Sequence, residues 1–320
     1  MIAPEISVVI PCHNSSSVLG LQLDSLYNQR DAPAFEVIVV DNRSTDGLVD
    51  VVDRWHGRWP SVRLVSADAE SGVSYARNVG ADAARSTLLM FCDADDVTAA
   101  TWVRQGLRNF EYADLWSGAA IPVVDSEFGM KVADLRLRIG DTDEWRPLVD
   151  DQDTAFPILM GGNFGVTKEL FFELGGFDQS LPLAGEDNDF AVRARRAGQR
   201  IPVSPTARIA YRIRSNPAER RRQQYRAGVA HGLIATRFDL WKKSPFPGWW
   251  DVLGRSVGAL VRMCLPGGTR DWPGLSERFS VGLGLAHGAI KYRYLRRVPP
   301  QRVGVGLSPL NRPGGEGEER

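Results

Sequence analysis

The chain has 320 residues, 43% hydrophobic and 24% charged, with a formal net charge of zero. That is the composition of a soluble globular protein with room for one large domain, or one domain plus an appendage. Its three cysteines, Cys12, Cys92 and Cys264, are too few and too scattered for a disulfide framework or a cysteine metal site, which points to a reducing compartment.

The neutral total hides an asymmetry. Residues 1–207 hold 18 Lys and Arg against 31 Asp and Glu, whereas residues 208–302 hold 19 against 5. An acidic first part suits metal-bound chemistry, and a basic second part suits an anionic partner or a helical face packed on the acidic domain. The N-terminus runs straight into a strand pattern, so no signal peptide is expected, and no apolar run is long enough for a spanning helix.

In chain order, Ile6 to Pro11 reads as a continuous apolar strand and residues 15–29 as a helix with Val18, Leu19, Leu23 and Leu26 on one face. Phe35 to Val40 is a second strand, followed by a helix from near Asp46. Val62 to Val65 is a third strand, 72–85 a helix, and Leu88 to Cys92 a fourth strand. Short apolar strands alternating with helices predict βαβ units in a mostly parallel sheet, with ligands beyond the strands' carboxyl ends. Three polar clusters fall at those ends: Cys12-His13-Asn14, Asp41-Asn42-Arg43-Ser44 and Asp93-Ala94-Asp95-Asp96. Both Cys12 and Cys92 end apolar strands and read as buried structural thiols.

Residues 125–160 show weak periodicity and many acids, as a long excursion covering a site would. Gly161-Gly162-Asn163-Phe164-Gly165 precedes a helix at 168–174 that Gly175-Gly176 ends, and another helix runs from Glu186 to Arg196. Beyond residue 216 the pattern is helical only, over 217–242 and over 249–264. The second of these is amphipathic and preceded by Trp249-Trp250, a pairing that suits a membrane interface or a core contact. Gly254/Gly258 and Gly284/Gly288 have the four-residue spacing of closely packed helices. Three parts follow: an α/β domain over 1–215, a basic helical region over 216–300, and a tail over 301–320, Gly- and Glu-rich from Asn311, expected to be disordered.

The chemistry-bearing feature is the acidic cluster after the fourth strand. Three carboxylates this close repel one another and raise one another's pKa, and a hard divalent cation such as Mg²⁺ or Mn²⁺ is the natural stabiliser. A cation held this way commonly carries a diphosphate.

The motifs resemble those of family 2 glycosyltransferases, inverting enzymes with the GT-A fold that use nucleotide-diphosphate sugars. Ser7 to Asn14 is similar to their opening strand, Val40 to Gly47 to their second signature, Ala76 to Gly80 to the third, and Phe91 to Asp96 to the fourth. Gly175 to Asp178 with Gly185 to Asp189 resembles their acceptor-side segment. The resemblance covers about residues 5–212. It implies donor contacts from Pro11, Asn14, Asp41, Arg77 and Asp93, metal binding by Asp95 with Asp93, and an acceptor pocket lined by Gly162 and Asn163. It also makes Asp187 the general base, supported by Glu186 and kept ionised at a helix N-terminus. Asp46 is expected to cap the second helix, and Asp96 or Thr98 the helix after the fourth strand.

Two departures stand out. Ser15-Ser16-Ser17 replaces a glutamate common in relatives, and Arg208 to Arg212 offers no histidine to complete a metal site. The chain also lacks the Gln-x-x-Arg-Trp motif of processive synthases, so a single-addition transferase is expected. The implied partners are a UDP-, GDP- or dTDP-sugar and a hydroxyl acceptor, lipid- or polysaccharide-linked, with an anionic membrane surface beside the basic region and no nucleic acid. The expected location is cytoplasmic, peripheral at the inner membrane face. The alternatives are a nucleotide-sugar-binding scaffold without activity and, ranked lower, a haloacid-dehalogenase-like phosphatase using Asp93 as nucleophile.

Overall fold

The first four apolar segments form strands because each is rich in Val, Ile and Leu and too short for a helix. They are β1 (Ile6–Cys12), β2 (Phe35–Asp41), β3 (Val62–Ser66) and β4 (Leu88–Cys92). In the computed structural model these strands are all parallel, joined by α1 (Ser16–Tyr27), α2 (Leu48–Arg58) and α3 (Val73–Ala83). The structure describes residues 3–150, 159–181, 184–242 and 272–308, together with positions 254, 257, 258, 260 and 261.

Beyond Cys92 the sheet turns mixed. The elements are β5 (Val97–Thr98), α4 (Trp102–Asn109), β6 (Leu115–Val124), α5 (Val132–Arg138), β7 (Asn163–Thr167), α6 (Lys168–Glu173), α7 (Glu186–Arg196) and β8 (Val203–Ile213). The strand order is β3-β2-β1-β4-β7-β6-β8-β5. β7 runs antiparallel to both β4 and β6, β6 and β8 are parallel, and β5 is antiparallel to β8. The expected parallel sheet is thus its first half.

Side chains alternating along the strands fill a core on each face. Val8, Ile10, Val37 and Met90 pack on one side with Leu19 and Leu23 of α1. Val9, Ile38, Leu89 and Phe91 pack on the other. There Phe91 stacks on Phe164 with ring centroids 4.5 Å apart, and Phe171, Phe177 and Phe190 complete the cluster. Both Cys12 and Cys92 are buried free thiols.

The segment expected as an excursion is anchored through residue 150. Leu135 of α5 is fully buried, and Asp141 and Asp143 both pair with Arg30. Two of its acids, Asp151 and Asp153, lie outside the described residues.

The basic region begins with α8 (Pro217–Arg237), where Asn216 caps the helix by accepting from the Ala218 N–H. It stops short of the expected 242. α9 (Trp272–Gly288) follows and ends in a π-helical turn, Ala289–Tyr294. Most of the helix expected over 249–264 lies outside the described residues, with Trp249, Trp250 and Cys264.

Glycine decides how α8 and α9 meet. A Cβ at Gly284 would lie 2.2 Å from the Tyr225 carbonyl oxygen, and one at Gly232 would lie 2.7 Å from the backbone of Gly288. So Gly284/Gly288 does mark a close crossing, against Gly228/Gly232, which the sequence reading passed over. Gly254 and Gly258 meet nothing within 4 Å among the described residues. We expect Gly284→Val to destabilise the α8–α9 pair by about 1–3 kcal/mol, read as a lowered thermal midpoint.

Of the tail expected to be disordered, residues 309–320, with the Gly- and Glu-rich stretch from Asn311, lie outside the described residues, whereas residues 301–308 are placed. They strap the α/β domain: the Arg302 N–H donates to Asp178 Oδ1 at 2.8 Å, the Gly304 N–H to the Gly175 carbonyl at 2.6 Å, and Asn78 Nδ2 to the Val305 carbonyl at 2.8 Å. Buried Asp178 also accepts from Arg237 at 2.6 Å, which ties the end of α8 to the same point.

Candidate active site

The strand ends β1 and β2 and the start of α3 enclose a cavity of about 350 Å³. Pro11, Cys12 and His13 line it from β1, Asn42 from the β2 end, and Ser71 to Val73 with Ala76 from α3. The N-terminus of α3 faces this space, so unpaired backbone N–H groups favour an anion there. Asn42 shapes the wall: its Nδ2 donates to the Ala67 and Glu70 carbonyls at 2.6 and 2.7 Å, and its Oδ1 accepts from the Gly72 N–H at 2.8 Å. His13 lies 2.8 Å from the Asn42 carbonyl through Nδ1 and 3.3 Å from Asn14 Nδ2 through Nε2.

Of the expected donor residues, Pro11 lines this cavity, whereas Asn14 and Asp41 do not. Asn14, at φ 51°, accepts from the Thr45 N–H at 2.8 Å, and Asp41 Oδ1 accepts from the Ser44 N–H, three residues on, at 2.9 Å. They hold the rim loop. Asp46 sits one residue before Gly47, the N-cap position of α2; it accepts from the Ser16 N–H at 2.7 Å at the start of α1, and the Leu48 N–H also helps hold its carboxyl below the ordinary value.

The carboxylates gather around one arginine. Arg77, on α3 and almost wholly buried, donates from Nη2 to Asp93 Oδ1 and from Nη1 to Glu186 Oε1, each at 2.9 Å. Burial works to lower its pKa, but the charges of Asp93, Glu186 and Asp187 outweigh it and hold it above the ordinary arginine value. Arg77 therefore joins Asp93, just after β4, to Glu186, at the start of α7. It is neither a free donor contact nor a solvated helix arginine.

Gly161 and Gly162 lie between the two acid groups. A Cβ at Gly162 would fall 2.5 Å from Asp93 Oδ2, and one at Gly161 would fall 3.1 Å from Asp187 Oδ2; the Gly161 N–H also donates to Asp187 Oδ2 at 3.3 Å. Asp93 and Asp187 thus flank one stretch of backbone, where a side chain at Gly162 would push Asp93 aside and one at Gly161 would crowd Asp187. We expect Gly162→Ala to displace Asp93 and lower turnover roughly 10²-fold with the fold intact by circular dichroism.

Asn163 has a different job from the expected acceptor contact. It is fully buried, accepts from Trp102 Nε1 at 2.8 Å, and donates to the Ala119 and Ala207 carbonyls at 3.0 and 2.9 Å. All its capacity goes to tying β7, β6, β8 and α4 together.

Asp187 stands at the start of α7. Burial first, and then the neighbouring charge of Glu186, push its pKa up to about 7, against Arg77 and the backbone N–H groups that lower it. The helix N-terminus does not keep it at the ordinary carboxylate value, as the sequence suggested. Its side chain remains partly open to solvent, which tempers the shift and leaves a face for an approaching hydroxyl.

Asp95 is raised by burial and by the charge of Asp93, with Arg214 and Arg212 opposing. Asp96 is nearly fully buried and caps no helix: its Oδ1 accepts from the Arg212 N–H at 3.0 Å on β8. Where relatives would offer a histidine, Arg212 donates to the Asp95 carbonyl and to Asp125 Oδ1, each at 2.9 Å. Among the described residues no group of three or more His, Cys, Asp or Glu is arranged to hold a metal. The pair Asp93 and Asp95 still fits a hard divalent cation, because both are oxygen donors and Asp95 carries charge that the protein compensates only in part.

The family model for glycosyl transferase family 2 matches residues 7–172, just over half of the chain. The chain belongs to glycosyltransferase family 2. Among curated proteins this family 2 chain is 30% identical over 228 residues to the succinoglycan biosynthesis protein ExoO of Rhizobium meliloti, covering 68% of this chain and 63% of that protein. It is 28% identical over 231 residues to mouse polypeptide N-acetylgalactosaminyltransferase 12, covering 65% of this chain and 40% of that protein. The chain thus spans less than two thirds of the length of these relatives.

Two solved structures share the fold. The mannosyltransferase PcManGT from Pyrobaculum calidifontis, in complex with GDP-Man and Mn²⁺, superposes with a TM-score of 0.59 at 21% identity, covering 92% of this chain and 89% of that one. Residues 1–349 of S. aureus TarS, in complex with UDP, give 0.53 at 19% identity, covering 91% of each. The family 2 chain therefore has the GT-A fold, and membership removes the phosphatase alternative. The sequence did not assign Cys12, His13, Asn42, Ser71, Gly72, Val73 and Ala76 to a cavity; the polar strand ends signalled the first three, and a glycine just before a helix pattern was the cue for the rest.

Proposed function

We propose that this chain transfers a single sugar from a nucleotide-diphosphate donor to an acceptor hydroxyl with inversion, using Asp187 as the general base. The observation that carries this reading is the Arg77 bridge. It holds Asp93, read as the donor-side acid, to Glu186, whose neighbour Asp187 is read as the base, while Gly161-Gly162 runs between Asp93 and Asp187.

In this reading the nucleoside sits in the cavity between β1, β2 and α3, with its phosphates toward the α3 N-terminus. The acceptor oxygen bonds to the anomeric carbon as that carbon's bond to the diphosphate oxygen breaks. The electron pair leaves with the diphosphate, and the hydroxyl proton passes to Asp187. A pKa near 7 suits a base working at neutral pH. Arg77 keeps Asp93 and Glu186 in place and lowers the repulsion around Asp187. Asp95 with Asp93 would hold Mg²⁺ or Mn²⁺, which when bound neutralises charge on the departing diphosphate.

Incubating the full chain with Mn²⁺ and a panel of UDP-, GDP- and dTDP-sugars, and measuring released nucleoside diphosphate, tests this. Release with one donor supports it. Binding without release, even with acceptors present, supports the inactive scaffold instead.

A peripheral position at the cytoplasmic membrane face is part of the proposal. Leu283, Ile290, Tyr294 and Leu295 are exposed along α9 and its π-helical turn, beside Lys291, Arg293, Arg296 and Arg297. No helix of the described residues is long and apolar enough to cross a membrane. The expected result is flotation with anionic liposomes at low salt and release at high salt; protein left in the soluble fraction at low salt would refute the membrane contact.

A further inference from the structure

A second cavity, of about 420 Å³, lies between the approach to α7, helix α8 and the end of α9. Its size falls within the usual range for small-molecule sites, about 300–1,000 Å³. Leu181, Ala184, Val229, Ala230 and Leu233 give it aliphatic walls, and buried Tyr292 adds an aromatic one. It is separate from the nucleotide cavity and shares no lining residue with it.

Two features say what would fill it. Arg222 and Arg226 line the cavity one helical turn apart on α8, so their guanidinium groups share a face. Neighbouring Arg220 pairs with Glu277 at 2.8 Å and Arg214 with Glu219 at 3.9 Å, but Arg222 and Arg226 pair with no acid among the described residues. An apolar cavity edged by two uncompensated guanidinium groups is complementary to an apolar chain that ends in phosphate. The second feature is location. A Cβ at Gly185, in the left-handed conformation at φ +87°, would lie 2.9 Å from Ala230 Cβ in the cavity wall. Gly185 directly precedes Glu186 and Asp187, so the cavity adjoins the acceptor side of the centre and not its donor side.

We infer that this cavity is an acceptor subsite for an amphiphile, with its apolar chain between α8 and α9, its phosphate on Arg222 and Arg226, and the hydroxyl that meets Asp187 on a sugar carried beyond the phosphate. Binding of the amphiphile stands on the cavity alone; its role as acceptor rests on the glycosyltransferase reading.

The test is calorimetric titration of the full chain with geranyl phosphate, geraniol and inorganic phosphate, beside a titration with UDP, GDP and dTDP. Geranyl phosphate is expected to bind at least tenfold more tightly than geraniol, with no binding of inorganic phosphate at matched concentration. The double variant Arg222→Gln/Arg226→Gln should bring geranyl phosphate down to the affinity of geraniol, and Val229→Phe should abolish both. Nucleotide affinity should stay unchanged in each. The surface double variant keeps the test decisive should Val229→Phe unfold. Failure of geranyl phosphate to bind while a nucleotide binds, or equal binding to wild type and the double variant, overturns the subsite and leaves the transferase reading standing. Absence of nucleotide binding with geranyl phosphate still bound would sink the transferase reading and keep the subsite.

Discussion

Asp187→Asn is expected to lower sugar transfer about 10²–10⁴-fold while leaving nucleoside-diphosphate affinity close to wild type. The amide keeps the shape of the side chain and, through its one oxygen, one of the two contacts with the Gly161 and Asn188 N–H groups, but cannot take the acceptor's proton. Asp187 does not line the cavity proposed for the nucleotide, so ground-state donor binding should not register the change. Initial rates and a nucleotide titration on the same preparation check both halves.

The same substitution should stabilise the protein at alkaline pH. A carboxyl raised from 3.8 to about 7 on folding binds protons more tightly in the native state, so wild-type stability falls as pH rises from about 4 to 7. Asn does not titrate and escapes that loss. The variant's advantage should be roughly 1–3 kcal/mol above pH 7, shrinking to nothing near pH 4, by denaturant unfolding at each pH. A more stable and far less active enzyme is the signature of a carboxylate strained by its surroundings for function.

Arg77→Met is the second large effect. Removing the guanidinium leaves Asp93 and Glu186 without their shared partner in a buried place, and breaking one side of a buried pair costs about 3–5 kcal/mol. Activity should fall with it, since Asp93 loses its anchor and Glu186 and Asp187 repel without relief. Arg77→Lys should rescue little: one ammonium cannot reach both carboxylates in the forked geometry that 2.9 Å bonds from Nη1 and Nη2 require. Thermal melts and turnover measured on the Met and Lys variants separate this from a solvated arginine, for which both changes would be nearly silent.

The parallel half of the sheet was readable because its strands are unbroken apolar runs bounded by polar turns. The second half was not. β6 carries Gly118, Pro122 and a register shift between Gly118 and Ala119, and β8 carries Pro205 and two arginines, Arg208 and Arg212, so neither shows a clean strand period. The identity of the acids at Asp93 and Asp187 was legible from motif and strand-end position. Their linkage through Arg77 was not, because it depends on how α3 and α7 pack across the sheet. Asn163 was misplaced for a related reason. A polar residue after two glycines looks like pocket lining, and only Trp102, Ala119 and Ala207 converging on it reveal a structural knot. The order of residues 301–308 depends likewise on distant partners, Asp178, Gly175 and Asn78.

The claim at the centre of this account is that Asp187, poised near neutrality by burial and by Glu186, is the base for sugar transfer. The most direct measurement is the pH dependence of kcat/KM for the acceptor, at saturating donor and Mn²⁺, in wild type and Asp187→Asn. Wild-type activity should rise through about pH 7 to a plateau as the carboxyl ionises, and the variant's residual activity should show no such limb. A variant that keeps the wild-type rate, or the same rise near pH 7, would contradict it.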